Sequence, residues 1–251
     1  MKLRFWVISN LILIVLFELL LFKSAWFYAL WVLINGVEIY GLWRLFKSSK
    51  LPRPWGRHLL LPVIFINSVL AYLVLIPHNE FTSGLFTQLL FVLVLWFNAL
   101  YAKSIRQLLA GNLLPYSNLS SLFSFLSLFF GLSALYGLQL FLNLSYWLII
   151  LVMGGLVLLL AKQNLGFGPE KKQHWPFIIL IVFVLIQLAW ALYFLPFDYD
   201  SLGLMMALLY YLAINIVKFY LERTLSAKML KALLFFGGII MALLILTVRW
   251  R

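Results

Sequence analysis

The sequence predicts an all-α protein: a bundle of about nine transmembrane helices forming a single membrane domain over residues 1–251, with no soluble domain. Three observations lead there. The first is composition, with 65% of the residues hydrophobic and 10% charged, against roughly 45–50% and 25% in soluble domains. A soluble chain of this size must cover its surface with polar groups, and this one has too few. The second is a succession of apolar runs, each long enough to cross a bilayer. The third is the alternation of lysine and arginine between the two sides of those runs.

The chain starts Met1-Lys2-Leu3-Arg4 and turns apolar at Phe5, with no small-residue cleavage site after the run, which predicts a retained signal anchor. A crossing helix needs about 17–25 apolar residues, because the hydrocarbon offers nothing to satisfy free backbone groups. Nine segments meet this: Phe5–Phe22, Ala25–Leu42, Leu59–Ile76, Gly84–Tyr101, Leu119–Leu142, Ser145–Ala161, Pro176–Leu195, Leu202–Tyr220 and Ala232–Val248. No charge occurs from Leu119 to Ala161, so the fifth and sixth spans are divided by turn chemistry alone, at Asn143-Leu144-Ser145. Between Ala102 and Leu114, Ile105, Leu108, Leu109 and Leu113 share one helical face while Lys103, Arg106 and Gln107 turn away, which predicts a short interfacial helix.

The basic residues then sort by side. Lys2, Arg4, Arg44, Lys47, Lys50, Arg53, Arg57, Lys103, Arg106, Lys162, Lys171, Lys172, Lys218, Arg223, Lys228 and Lys231 fall on one side, and Lys23, Arg249 and Arg251 on the other. The crowded side is cytoplasmic, which predicts a plasma-membrane protein with a cytoplasmic N-terminus and an external C-terminus. The net charge of +12 is thereby a topology signal with attraction to anionic lipid headgroups. Scattered over short loops, it builds no groove-sized surface for nucleic acid. Trp6, Trp26, Trp43, Trp147, Trp175 and Trp250 lie at span ends, as interfacial rings do, while Trp31 and Trp96 lie deeper and are expected between helices. Ile76-Pro77 with Gly84-Leu85 recurs 119 positions later as Leu195-Pro196 with Gly203-Leu204, a possible hairpin repeat of spans three–four and seven–eight.

Intramembrane acids are expensive and therefore candidates for function. Glu38 lies deep in the second span, level with Asn10 on the first and one turn from Asn35, which predicts a polar cluster of Asn10, Asn35 and Glu38. Such a cluster serves a proton or cation relay or a structural interhelix bond. Glu18 lies near Lys23 and is expected to pair locally; Asn67, Gln88, Asn98, Gln187 and Asn215 are expected to act as interhelical glue. At the outer turns, His78 and Glu80 on one side and Asp198 and Asp200 on the other are the residue types that hold a divalent cation. Two acids solvating a tight turn read the same way, so no metal is assigned. Ser120, Ser124, Ser127, Gly131 and Ala134 recur every three or four residues, a stripe that lets another helix approach closely. The absence of cysteine removes disulfides and thiolate metal ligation, and the HExxH and GxxxxGK[ST] patterns do not occur. No cofactor is expected.

Leu195-Pro196-Phe197-Asp198-Tyr199-Asp200, the Leu- and Tyr-rich span after it and Leu221-Glu222-Arg223-Thr224-Leu225-Ser226 resemble multi-pass bacterial inner-membrane proteins. The resemblance covers the last quarter of the chain and implies no particular activity. Three functional classes follow from the residues. A membrane scaffold or partner subunit, meeting a membrane protein or a second copy of itself, would use the small-residue stripe. A small-solute or ion transporter would use the polar spans. A membrane enzyme acting on a lipid-linked substrate would use Asp198 and Asp200; catalysis of any kind is the less expected outcome.

Overall fold

The computed structural model describes residues 2–22, 24–48, 56–76, 81–109, 114–165 and 174–247. Among them the regular structure is all helical: α1 (Lys2–Phe22), a 3-10 turn (Ser24–Trp26), α2 (Phe27–Ser48), α3 (Gly56–Leu73), α4 (Phe81–Leu109), α5 (Leu114–Leu142), α6 (Tyr146–Leu165), α7 (His174–Tyr193), α8 (Tyr199–Leu221) and α9 (Ala227–Thr247). Seven of these, α2 and α4 to α9, are long and apolar enough to cross a membrane; the apolar stretches Val7–Leu20 in α1 and His58–Leu73 in α3 are shorter. This is the make-up of a multi-pass membrane protein.

Local chemistry explains the helix ends. Asn143 takes φ 49°, a left-handed conformation that terminates α5 and that asparagine tolerates better than most residues. α8 starts behind Asp198, whose carboxylate accepts from the Ser201 amide. It ends at Arg223, φ 55°, with the Thr224 amide reaching back to the Phe219 carbonyl at 3.0 Å. α4 runs on through Ala102 to Leu109, so the short interfacial helix expected there is the last turns of a spanning helix. No proline or glycine interrupts the sequence before Gly111, and Ile105 is buried while Lys103 and Arg106 are exposed. Trp31 and Trp96 are partly exposed, 41% and 52%, and each still reaches a neighbouring helix, Trp31 bonding to Asn67 of α3 at 2.7 Å and the Trp96 ring lying 6.4 Å from that of Phe123 on α5.

The helices gather into two compact units, residues 1–123 and 124–251. In the first, α1 packs on α2, α2 on α3, α3 on α4 and α4 back on α1, closing a ring. Its interior is aromatic, with Phe97 4.2 Å from Phe123 and 4.8 Å from Phe65, and Phe17 stacked on Phe91 at 4.5 Å. The contact of α1 with α2 is close because Gly41 has no side chain: a Cβ there would overlap Ser9, whose hydroxyl donates to the Val37 carbonyl at 3.2 Å. In the second unit α6, α7 and α8 pack against one another, with α9 on α8. The two glycines of the possible repeat sit differently. Gly84 faces open space, whereas Gly203 lies against Ser133. Gly237 is the buried residue of α9, and Phe235, Phe236 and Leu246 stand out from it. Large side chains this exposed are costly in water and unremarkable in hydrocarbon.

Candidate functional site

The deepest acid lies in the first unit. α2 places Glu38 eleven residues beyond Phe27, halfway along the helix, and 3% exposed. Asn98 of α4, 1% exposed, faces it. Asn98 Nδ2 donates one hydrogen to Glu38 Oε2 at 3.0 Å and the other toward Asn10 Oδ1 at 3.4 Å. Asn98 therefore ties α1, α2 and α4 together at one level. Both amide hydrogens are then used, and what remains is two acceptors. Glu38 Oε1 and Asn98 Oδ1 are buried with no hydrogen-bond partner among the described residues. A buried carboxylate is ordinarily satisfied by several donors or a counter-charge, and here one amide supplies the donors.

Of the three residues predicted to cluster, Asn10 and Glu38 meet at Asn98. Asn35 turns elsewhere and exchanges hydrogen bonds with Asn67 of α3, at 2.7 and 3.2 Å. Trp31 Nε1 also donates to Asn67 Oδ1 at 2.7 Å. This second group is half-exposed and acts as interhelical glue. Asn98, read in the sequence only as glue, is the residue that organises the acid. Its register could have been read from α4, but not which way it points, because every face of that helix is apolar. Glu18 is bonded by Gln88 Nε2 at 3.0 Å, joining α1 to α4; its expected partner Lys23 lies outside the described residues.

One turn beyond Asn98, Tyr101 is buried within electrostatic range of Glu38. Its hydroxyl donates to the His58 carbonyl at 2.5 Å and lies 3.2 Å from the Tyr116 hydroxyl, which in turn lies 3.3 Å from His58 Nδ1. The cause is local. Pro62 stands inside α3 and has no N–H, so the carbonyl four residues back, that of His58, loses its helical donor, and Tyr101 supplies the replacement. Tyr101→Phe should therefore lower stability by about 1–3 kcal/mol, because it strands a buried carbonyl. Thermal unfolding in detergent checks this. An unchanged melting temperature would mean that water replaces the phenol.

In the second unit the stripe residues Ser124, Ser127, Gly131 and Ala134 are buried, as is Ser120 in the first unit. Ser124 Oγ accepts from Asn164 Nδ2 at 2.9 Å, and the same nitrogen donates to the Tyr210 hydroxyl at 2.9 Å, linking α5, α6 and α8. Asp198 Oδ2 caps α8 at 3.3 Å from Ser201 N, and Asp200 occupies the first turn of that helix, where carboxylates are favourable beside the helix N-terminus. His78 and Glu80, the other half of the expected outer cation site, lie outside the described residues. Among the described residues no three His, Cys, Asp or Glu side chains gather as metal ligands. No protein-family model, curated protein or solved structure matches the chain.

Proposed function

We propose that the chain is a transporter that couples movement of a small solute to a proton or a monovalent cation, with Glu38 as the coupling group. The observation that supports this most is the pair of unpartnered acceptors, Glu38 Oε1 and Asn98 Oδ1, buried together at the middle of the first unit. A structural hydrogen bond needs no carboxylate there; an amide would satisfy Asn98 equally well. A carboxylate with spare acceptors takes up a positive charge and gives it back, and intramembrane acids of this kind mark ion pathways. Pyranine-loaded proteoliposomes offered a panel of sugars, amino acids and organic cations test it. At least one solute should drive proton or cation movement across the bilayer. Movement by the Glu38→Gln chain equal to that of the unaltered chain would end the proposal.

The same reading takes all nine helices as spans in the cytoplasmic membrane, with the N-terminus and the basic loops inside and the C-terminus outside. Reporter fusions after Lys50 and after Lys172 should read cytoplasmic, and one after Asn79 external. An external reading after Lys172 would change the number of spans before it. Lipid is then the solvent of the exposed apolar faces, and anionic headgroups are the partners of the basic loops.

The scaffold reading, first on sequence, needs a surface open to a membrane-protein partner or a second copy. The stripe it rested on is buried, so it leaves such a surface to be found elsewhere. The enzyme reading needs Asp198 and Asp200 free for a lipid-linked substrate, and Asp198 is engaged as the cap of α8.

A further inference from the structure

The polar groups around His58 form a chain whose direction follows from counting hydrogens. Tyr101 has one hydroxyl hydrogen, and it goes to the His58 carbonyl at 2.5 Å. Between the Tyr101 and Tyr116 hydroxyls, 3.2 Å apart, Tyr116 is therefore the donor. The hydrogen of Tyr116 is then in use as well, so at its 3.3 Å contact with His58 Nδ1 the imidazole is the donor. The chain runs from His58 Nδ1–H to Tyr116 and on to Tyr101. It places the hydrogen of a neutral His58 on Nδ1 and leaves Nε2 as the nitrogen that takes up a further proton. All three side chains are buried. Ring packing holds them: Phe46 of α2 lies 5.9 Å from the His58 ring, and Tyr116 of α5 lies 5.8 Å from the rings of both His58 and Tyr101.

The two ends of the chain lie at different depths. His58 is in the first turn of α3, beside the basic stretch from Lys47 to Arg57 that the charge pattern assigns to the cytoplasm. Tyr101 is one turn along α4 from Asn98, which holds Glu38, and is within electrostatic range of that carboxylate. Asn10 on the α1 side and Asn98 and Tyr101 on the α4 side face Glu38; Phe46, Tyr101 and Tyr116 face His58. The carbonyl that Pro62 strands is met by Tyr101 alone. It gives no reason for Tyr116 and an imidazole nitrogen to stand in line behind Tyr101. Rows of acid, hydroxyl and imidazole groups are what carries protons through membrane proteins.

We propose that protons reach Glu38 from the cytoplasmic side along His58, Tyr116 and Tyr101. This rests on Glu38 as the coupling group and narrows the coupled ion to a proton. A proton taken up at His58 Nε2 makes an imidazolium. Its Nδ1 hydrogen passes to the Tyr116 oxygen as Tyr116 passes its own to Tyr101. Tyr101, its O–H turned away from the carbonyl, passes its own through a water molecule to the Glu38 carboxylate. His58 ends neutral with its hydrogen on Nε2, Glu38 ends as a carboxylic acid, and both phenols are unchanged.

Time-resolved infrared absorption of the full chain in nanodiscs, after light releases protons from a caged acid, tests the path without any solute. The carbonyl band of protonated Glu38 is identified by its loss in Glu38→Gln. Tyr116→Phe keeps the ring beside His58 and the Tyr101 bond to the carbonyl, and removes the link between them. The band should then rise at least about tenfold more slowly and reach the same final height. His58→Gln removes the group that takes up the proton and should slow the rise likewise. Thermal unfolding within a few degrees of the unaltered chain qualifies each variant. The unchanged height is what a structural role would not give, since looser packing around Glu38 would shift its equilibrium as well as its rate. A rise at the unaltered rate in a folded variant, or a height that falls with the rate, overturns the path. Loss of solute-driven proton movement in Glu38→Gln proteoliposomes would in either case leave Glu38 its coupling role. A Glu38 band that does not change with pH also overturns the path, and sodium movement lost in Glu38→Gln would then make the coupled ion a metal.

Discussion

Glu38→Gln should reduce solute-driven proton or cation movement in proteoliposomes to that of protein-free liposomes, while the protein keeps its melting temperature or gains slightly. The reasoning rests on hydrogen-bond counting. Gln retains an oxygen to accept from Asn98 Nδ2, which donates to Glu38 Oε2 at 3.0 Å. It adds an NH2 group that can donate to Asn98 Oδ1, now buried without a partner among the described residues. A buried carboxylate is thereby exchanged for a neutral, better-paired amide, a change worth up to about 1 kcal/mol of stability. Activity and stability should thus move independently, which a purely structural Glu38 does not allow. Asn98→Leu should instead move the same two quantities together. It removes the amide that donates to both Asn10 and Glu38, so stability should fall by about 1–3 kcal/mol together with the flux. Flux that persists in Glu38→Gln at the unaltered rate would leave the carboxylate without a coupling role.

The largest effect on stability is expected at Gly203. A Cβ built on it falls 2.7 Å from the backbone nitrogen of Ser133 and 3.0 Å from its Cα. Backbone atoms of a helix cannot step aside as a side-chain tip can, so α5 and α8 must separate and lose the dispersion contacts around the pair. Overpacking of this kind costs about 1–3 kcal/mol, and Gly203→Ala should lower the detergent melting temperature accordingly, Gly203→Leu further. Gly237 is the control. Its Cβ would also fall close to a neighbour, but the atoms there are the terminal methyls of Leu212, which can rotate away. Gly155 faces open space, and Ala there should be neutral or stabilising by up to about 1 kcal/mol. Equal melting temperatures for the Gly203 and Gly155 variants would show that α5 and α8 are free to part.

Some of this was legible from residues alone. The division of the uncharged stretch after Leu119 falls at Asn143 in the sequence and in the structure, where that residue takes φ 49°. The stripe from Ser120 to Ala134 is buried along its length, because small residues on one face of a helix leave a groove that only another helix can fill. Glu38 and Asn10 were drawn together from their depths on adjacent antiparallel helices, a matter of rise per residue. Asn35 was placed on the face of Glu38 and instead meets Asn67, because a residue one turn away is also rotated about the axis, far enough here to face α3. The interfacial helix was misread for another reason. Its charges mark where α4 leaves the apolar zone, and nothing in the sequence stops the helix there.

The presence and order of the apolar helices were legible in the sequence, because without water each segment must satisfy its own backbone and so carries its structure locally; their lengths were not, and among the described residues seven rather than nine are long and apolar enough to cross a membrane. Which residues meet was decided by the tertiary structure. Asn98 reaches Glu38 and Asn10, and Tyr101 finds the His58 carbonyl that Pro62 leaves without a donor. Both depend on how α4 is turned about its axis. A helix apolar on all sides carries no pattern that chooses one face over another, so its rotation is settled by packing and by the few hydrogen bonds that only one orientation can make.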